Sequence, residues 1–221
     1  MPVDFRFSHQ VGKVLQAALQ TMLALLLLSS AMTAHSASKT IVVLGDSLSA
    51  EYGLARGQGW VSLLQKKLAT EHIDAQVINA SISGDTTSGG KARLQTLLDK
   101  HRPSILVIEL GANDALRGLS LAATRENLRA MIGSAKNAGA KVLIVGMQIP
   151  PNYGQDYTRQ FAKMFADLSR ENKTPLVPFM LADVADKPEM FQADRMHPTS
   201  EAHPVILNNI WPQLKRLLSN R

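Results

Sequence analysis

Short runs of β-branched and aliphatic residues alternate with longer segments of helical period from Thr40 onward, and this alternation limits the fold of the chain more than any other feature. The runs occupy residues 41–44, 76–79, 105–108, 142–145 and 176–177. Runs that are apolar on both sides indicate strands that helices cover on both faces. The pattern predicts a three-layer α/β/α fold around a doubly wound, mostly parallel sheet of five strands.

The segments between the runs carry the apolar stripes of amphipathic helices. The residues that share a face are Leu121, Leu128, Met131, Ile132 and Ala135, then Phe161, Met164, Phe165 and Leu168, and finally Ile206, Ile210, Leu214 and Leu217. Residues three and four positions apart lie on one side of a helix, so these stripes are expected to pack in the core. Because no repeat or linker divides the chain, we predict a single domain over residues 39–221.

The first 38 residues have the pattern of a signal peptide. Arg6 precedes an apolar run over residues 22–28, small side chains follow it, and cleavage is expected after Ser36 or Ser38. A membrane anchor is the alternative. Gln20 limits the uninterrupted apolar segment to fewer than the ~20 residues that cross a bilayer. The sequence therefore predicts a protein that is periplasmic or secreted after cleavage.

Composition narrows the classes of function. The chain has no cysteine, which excludes disulfides, thiolate metal sites, lipid attachment at a cysteine and a cysteine nucleophile. Its net charge is +6, but its basic residues lack the interleaved aromatic residues of single-strand binders, and export also argues against nucleic acid. The basic pairs are expected to face solvent, with at most weak contact to a membrane surface. A monomer is expected.

The residues that follow each predicted strand are the candidates for chemistry, because a doubly wound sheet binds its ligands beyond the carboxyl ends of the strands. Ser47 follows the first strand in the sequence GDSLS, which begins at Gly45. A sharp turn from strand to helix exposes a nucleophilic hydroxyl and brings its own N–H to a developing oxyanion. Two other interpretations stay open at this point: a helix-capping serine and a phosphate-binding turn.

Two further turns offer hydrogen-bond donors. Gly84 follows the second strand, where the missing side chain allows close approach to a ligand, and Asp85 beside it is expected to cap the next helix. Asn113 follows the third strand and offers a side-chain amide. Either Asn113 or its neighbour Asp114 is expected to cap a helix, which leaves the other residue free.

The last turn pairs a carboxylate with an imidazole. Asp194 lies three residues before His197, directly ahead of the C-terminal helix. At this spacing the carboxylate can accept the Nδ1 proton and leave Nε2 to take a proton from a serine. The other histidines considered, His72, His101 and His203, are expected at the surface.

The residues Ser47, Gly84, Asn113 and His197 occur in this order, each after a separate element of the predicted α/β chain. In this the chain resembles the SGNH (GDSL-type) hydrolase family, whose name lists a serine, a glycine, an asparagine and a histidine from four sequence blocks. The resemblance covers essentially the whole chain after the predicted signal peptide.

Two longer stretches are similar to one subgroup of that family. They read NDALRG from residue 113 and QIPPNYG from residue 148. The subgroup consists of bacterial periplasmic multifunctional thioesterases, proteases, lysophospholipases and arylesterases. One departure is Ala112, where many relatives carry a second glycine, although the amide of the next residue stays available.

The resemblance implies a flavodoxin-like α/β fold and a serine esterase or thioesterase that forms an acyl-enzyme. Ser47 would be the nucleophile, His197 the general base and Asp194 its orienting partner. The N–H groups of Ser47 and Gly84 and the amide of Asn113 would form the oxyanion hole. No metal and no cofactor is implied. The implied substrates are small acyl esters and thioesters, namely acyl-CoA-like thioesters, lysophospholipids, and aryl or alkyl esters.

Apolar residues near these turns indicate the kind of substrate. The set consists of Leu48, Leu116, Leu119, Ile149, Pro150 and Tyr153. Ordinary loop packing would explain any one of them. As a set, they favour a medium or long acyl group over a polar sugar ester.

Two other classes of function stay open on the sequence. A metal-dependent phosphohydrolase could use carboxylates beyond parallel strands to hold magnesium, although paired Asp-x-Asp ligands are missing. Its candidate ligands would be Asp46, Asp85, Asp114, Asp194 and His197. A non-catalytic periplasmic domain that binds lipid or glycan would keep the fold without a need for Ser47.

Overall fold

A computed structural model describes residues 38–219 of the chain, together with Gln20. Residues 38–219 contain five strands, β1 (Lys39–Gly45), β2 (Ala75–Asn79), β3 (Ile105–Glu109), β4 (Lys141–Val145) and β5 (Leu176–Val177). They form one sheet in the order β2-β1-β3-β4-β5, and all four pairings are parallel. The prediction of a doubly wound sheet of five strands is confirmed.

Helices cover both faces of this sheet. Within residues 38–219 they are α1 (Trp60–Thr70), α2 (Thr87–His101), α3 (Ala112–Leu116), α4 (Leu121–Asn137), α5 (Gln155–Asn172) and α6 (His203–Ser219). Helix α1 packs against α6, whereas α2, α4 and α5 pack side by side in succession. Two layers of helices therefore enclose the sheet, as the apolar runs of the sequence require.

The core follows the predicted stripes. Residues 41–44 of β1 and all of β3 are buried, because both faces of these central strands are covered. Phe161 and Phe165 of α5 pack edge to face with ring centroids 5.1 Å apart. This arrangement suits the quadrupoles of the two rings and joins α5 to the core.

Two local expectations are wrong. Thr86, and not Asp85, caps α2 with its hydroxyl, while Asp85 forms an ion pair of 2.8 Å with Arg93. His203 is buried instead of exposed, and its Nδ1 accepts the N–H of Trp60 at 3.0 Å. Desolvation lowers the pKa of His203 to about 4, so this histidine is a neutral structural residue.

The order of the strands decides where ligands can bind. Strands β2 and β3 lie on opposite sides of β1, so the chain leaves β1 in one direction and later returns on the other side. The crevice beyond the carboxyl ends of β1 and β3 is thus a topological switch point. The turns after β1, β2 and β3 meet at this edge.

The predicted signal peptide falls almost wholly on residues outside those the structure describes. Among the described residues, no helix combines the length and the apolar character needed to cross a membrane.

Candidate active site

A serine, a histidine and an aspartate form a continuous line of hydrogen bonds at the switch point. Ser47 lies in the turn after β1, and its Oγ is 3.0 Å from Nε2 of His197. On the other side of the imidazole ring, Nδ1 lies 2.6 Å from Oδ2 of Asp194. Residues that are far apart in sequence are thus in the relation that a serine nucleophile, its base and an orienting carboxylate require.

The loop before α6 fixes the carboxylate of Asp194. Its Oδ1 accepts the N–H groups of Met196 and His197 at 2.9 and 3.0 Å. Arg195, the residue after Asp194, has a left-handed φ of 57°. The N–H of His197, then that of Met196, and then the imidazole lower the pKa of Asp194 to about 2. Asp194 is therefore an anion at neutral pH, and both of its oxygens are engaged.

An aromatic ring also contacts the imidazole of His197. The rings of Tyr52 and His197 lie with centroids 4.3 Å apart at an interplanar angle of 36°. Gln192 donates to the carbonyl of Tyr52 at 2.9 Å and so ties this loop to the segment that carries the histidine. The sequence analysis missed Tyr52, because no pattern in the chain relates it to a residue about 145 positions away.

The three groups predicted as oxyanion donors lie on the turns that follow β1, β2 and β3. Gly84 has a φ of +78°, a region that favours glycine, and its carbonyl accepts Arg117 at 2.8 Å. Over residues 38–219, the N–H groups of Ser47 and Gly84 donate no hydrogen bond and are available to a ligand. The amide of Asn113 points one N–H at Asp46, 2.9 Å away, and keeps its second for a ligand.

The neighbour of Asn113 has a structural role, but not the expected one. Helix α3 begins after Gly111, without a side-chain cap. Asp114 is buried and instead accepts the N–H of Thr87 at 2.9 Å and the hydroxyl of Thr124 at 3.3 Å. Asp114 thereby stabilises the first turn of α2. Asn113 caps no helix, and its amide donates to Asp46.

Two buried carboxyl groups lie under the serine turn. Asp46 is 1% and Glu109 is 2% exposed. Burial raises the pKa of Asp46 to about 6, against the lowering effect of the Leu48 N–H and the Asn113 amide. Burial, and next to it the charge of Asp46, raises the pKa of Glu109 well above its usual value. Burial and the neighbouring charge therefore favour the neutral form of Glu109. Sequence analysis gave Glu109 no role.

The carboxylates proposed as magnesium ligands do not converge. Asp85 pairs with Arg93, and Asp114 is surrounded by threonine and backbone donors. In the part of the chain that the structure describes, no three His, Asp or Glu side chains are arranged to hold a metal ion. The geometry does not fit the phosphohydrolase alternative.

A long cavity opens beside Ser47. Its volume is about 1310 Å³, and it is lined by Leu48, Leu116, Ile149, Pro150 and Tyr153, five of the six predicted groove residues. Leu119 does not line it: the side chain is 43% exposed. A second wall, which the sequence analysis did not predict, comes from Phe179, Leu181, Ala185, Pro188 and Phe191. The cavity is largely apolar, and Ser47 and His197 are also among its lining residues.

Comparison with known proteins gives consistent relatives. Residues 43–205 match the model of the GDSL-like Lipase/Acylhydrolase family. Esterase TesA of Pseudomonas aeruginosa is 50% identical over 85% of this chain and 93% of its own length. The arylesterase of Vibrio mimicus is 42% identical over 89% of this chain and 98% of its own length. Thioesterase 1/protease 1/lysophospholipase L1 of Escherichia coli K12 is 38% identical over 84% and 88%, respectively.

Solved structures agree with these sequences. The crystal structure of TesA has a TM-score of 0.79 at 50% identity, covering 81% of this chain and 99% of its own. The psychrotrophic esterase EstA from Pseudoalteromonas, inhibited by monoethylphosphonate, also has a TM-score of 0.79, at 41% identity over 82% of this chain and 100% of its own.

The bonds of Asp194 predict the effect of its amide variant. In Asp194→Asn, the one carbonyl oxygen is needed by the two backbone N–H groups, so the NH₂ group faces Nδ1 of His197 and favours the tautomer with its proton on Nε2. That tautomer cannot accept the proton of Ser47. We expect kcat for an aryl ester at pH 7 to fall by roughly 10³–10⁴.

Asp186→Asn provides the matched control, since it removes a negative charge from the wall of the same cavity. We expect its kcat to stay within about threefold of the parent. An Asp194→Asn enzyme that retained more than a tenth of the parent kcat would show that the carboxylate does not set the histidine tautomer.

Proposed function

The chain belongs to the GDSL-like Lipase/Acylhydrolase family, and on that premise we propose that it hydrolyses acyl esters and thioesters through an acyl-enzyme on Ser47. Its relatives at 38–50% identity are an esterase, an arylesterase and a thioesterase/lysophospholipase, so the chain is an ester hydrolase. The observation that carries the mechanism is the line of contacts from Ser47 through His197 to Asp194, with lengths of 3.0 and 2.6 Å.

The first half of the reaction is acyl transfer to the serine. His197 takes the proton of Ser47 on Nε2 as Oγ attacks the carbonyl carbon, and Asp194 stabilises the imidazolium that results. The imidazolium then gives this proton to the departing alcohol or thiol. In the second half, His197 takes a proton from the water that attacks the acyl carbon, and then returns this proton to Oγ of Ser47 as the bond from Oγ to that carbon breaks and the acid is released.

The negative charge of each tetrahedral intermediate falls on the carbonyl oxygen. The N–H groups of Ser47 and Gly84 and the second N–H of Asn113 are the donors that we assign to it. Each preorganised donor contributes about 3 kcal/mol to stabilisation of the transition state. The proposed hydrolysis needs only these groups and water, without a metal or a cofactor.

The cavity favours a substrate with an extended acyl chain. Its apolar walls would surround the acyl chain of a bound substrate. Acyl-CoA-like thioesters, lysophospholipids, and aryl or alkyl esters share this chemistry. We therefore propose that the substrate is a small acyl ester or thioester. We also propose that the protein acts as a monomer.

Covalent labelling tests the assignment of Ser47. An alkyl fluorophosphonate needs an activated hydroxyl beside a base and an oxyanion pocket, and a capping serine offers neither. We expect one adduct per chain by intact-mass analysis, located on Ser47 by peptide mapping. His197→Ala should slow labelling by at least about 10³-fold without moving the site.

Ser47→Ala should lose both the adduct and ester hydrolysis, and Ser83→Ala, which removes an exposed hydroxyl from the turn after β2, should keep both. Full esterase activity in Ser47→Ala, or an adduct on Ser49, would refute the proposed mechanism.

Chain-length preference tests the acyl groove. Tyr153→Ala and Ile149→Ala remove apolar area from the cavity wall, and each lost contact costs about 25 cal/mol per Å². We expect kcat/KM for a long-chain relative to a short-chain p-nitrophenyl ester to fall roughly three- to tenfold, because only the long chain reaches these side chains. Leu119→Ala, outside the lining, is the control. An unchanged ratio in both variants would place the groove elsewhere.

We also propose that the chain is exported and that its mature form is the single domain over residues 39–221, or begins two residues earlier. The proposal is supported by the basic, apolar and small-residue pattern of the first 38 residues. Expressed in a Gram-negative host with these residues intact, the soluble periplasmic or secreted protein should begin at Ala37 or Lys39 by N-terminal sequencing. Retention of the full-length chain in the membrane fraction would contradict this.

A further inference from the structure

The carboxylate of Asp46 binds two different donors with its two oxygens. Oδ1 accepts the N–H of Leu48 at 3.1 Å, and Oδ2 accepts the side-chain amide of Asn113 at 2.9 Å. The residue is 1% exposed and lies in the wall of the cavity beside Ser47. One side chain thus joins the backbone just after the serine to the amide assigned to the oxyanion.

This contact decides which end of the Asn113 amide faces the cavity. An amide side chain has a donor end and an acceptor end of nearly the same shape, and rotation by half a turn exchanges them. An ionised carboxylate only accepts, so it fixes the NH₂ group toward Asp46 and leaves the second N–H for the substrate. In the opposite orientation the carbonyl oxygen of Asn113 would meet the oxyanion and repel it.

We propose that Asp46 is a positioning residue for this reaction, which holds the amide of Asn113 in the orientation that donates to the oxyanion. The inference rests on the proposed function, because the oxyanion forms only in that reaction. It assigns Asp46 no contact with the substrate. It predicts that the loss of Asp46 acts on kcat through Asn113 and leaves KM for a short ester nearly unchanged.

Glu109 is the natural control for a buried carboxyl group at the same turn. One of its two carboxyl oxygens, Oε2, accepts both the hydroxyl of Ser49 at 2.7 Å and the N–H of Asp46 at 3.3 Å. A glutamine can place its carbonyl oxygen at that position and keep both bonds. The same acid-to-amide change therefore preserves the bonds of Glu109 but cannot preserve those of Asp46, which needs two acceptors.

A double-mutant cycle tests the inference with short p-nitrophenyl esters. Asn113→Ala should lower kcat by roughly 10²–10³. Asp46→Asn should lower kcat by about 10²-fold in the parent enzyme but less than about threefold in the Asn113→Ala variant, since no amide is left there to misorient. KM should change less than about twofold. Glu109→Gln should alter kcat by less than about threefold in either background.

The outcomes separate this inference from the proposed function. Full kcat in Asp46→Asn, beside a large loss in Asn113→Ala, would overturn the inference alone. An equal loss from Asp46→Asn in both backgrounds would also overturn it and would assign Asp46 to the backbone turn. An unchanged kcat in Asn113→Ala would overturn the oxyanion role of Asn113 and the inference with it, while labelling of Ser47 would still report on the nucleophile.

A measurement on the unsubstituted protein does not depend on folding of the Asp46 variant. The side-chain NH₂ signals of Asn113, assigned by their loss in Asn113→Ala, should exchange with solvent at least about tenfold more slowly than those of Asn152. Asn152 is exposed and lines the same cavity, so it reports the exchange of an amide that no carboxylate holds. Equal exchange rates for the two side chains would refute a fixed Asn113 amide.

Discussion

The pairing of β1 with β3 is the constraint on which the site depends. Gly45 at the end of β1 lies opposite Glu109 at the end of β3, so the two turns that follow begin side by side. A side chain at position 45 would place its Cβ 2.7 Å from Oε2 of Glu109 and 2.8 Å from Oγ of Ser49. Only glycine lets the carboxyl group of Glu109 pass beneath the serine turn and accept its donors. The positions of Ser47 and of the third-strand turn follow from this close packing.

Three carboxyl groups lie around one serine, and their surroundings give them different properties. Asp194 is partly exposed and accepts two backbone N–H groups, which keep it ionised far below neutral pH. Asp46 and Glu109 are buried close together, where two negative charges would be costly, so burial raises the pKa of both and the charge of Asp46 raises that of Glu109 further. The negative charge of Asp194, next to the histidine, thus persists to low pH. Burial raises the pKa of Asp46, so Asp46 loses its charge after a smaller drop in pH.

The sequence predicted the features that are encoded locally and missed those that arise from contact between distant segments. The five strands and the stripes of α4, α5 and α6 could be predicted because each is a periodic or β-branched run. The line from Ser47 to His197 could be predicted because four motif blocks occur in a fixed order. The stacking of Tyr52 on the histidine and the wall around Phe179 could not, since no local pattern marks them. His203 was misplaced because burial of a histidine depends on the helix that packs over it.

The groups proposed to react and most of the residues proposed to select a substrate lie on different parts of this fold. Ser47, Gly84 and Asn113 follow the neighbouring strands β1, β2 and β3, where register, buried carboxyl groups and positive φ angles leave little freedom. Leu48 and Leu116 near these turns also line the cavity, but most of its lining comes from the loop after β4 and from the segment after β5 that leads to the histidine. A loop can change its side chains with a small effect on the sheet, whereas a change in the turns after β1, β2 and β3 would displace a proposed oxyanion donor. Under the proposed function, this separation would let one catalytic arrangement serve different acyl groups, which is consistent with relatives whose names include an arylesterase and a thioesterase/lysophospholipase.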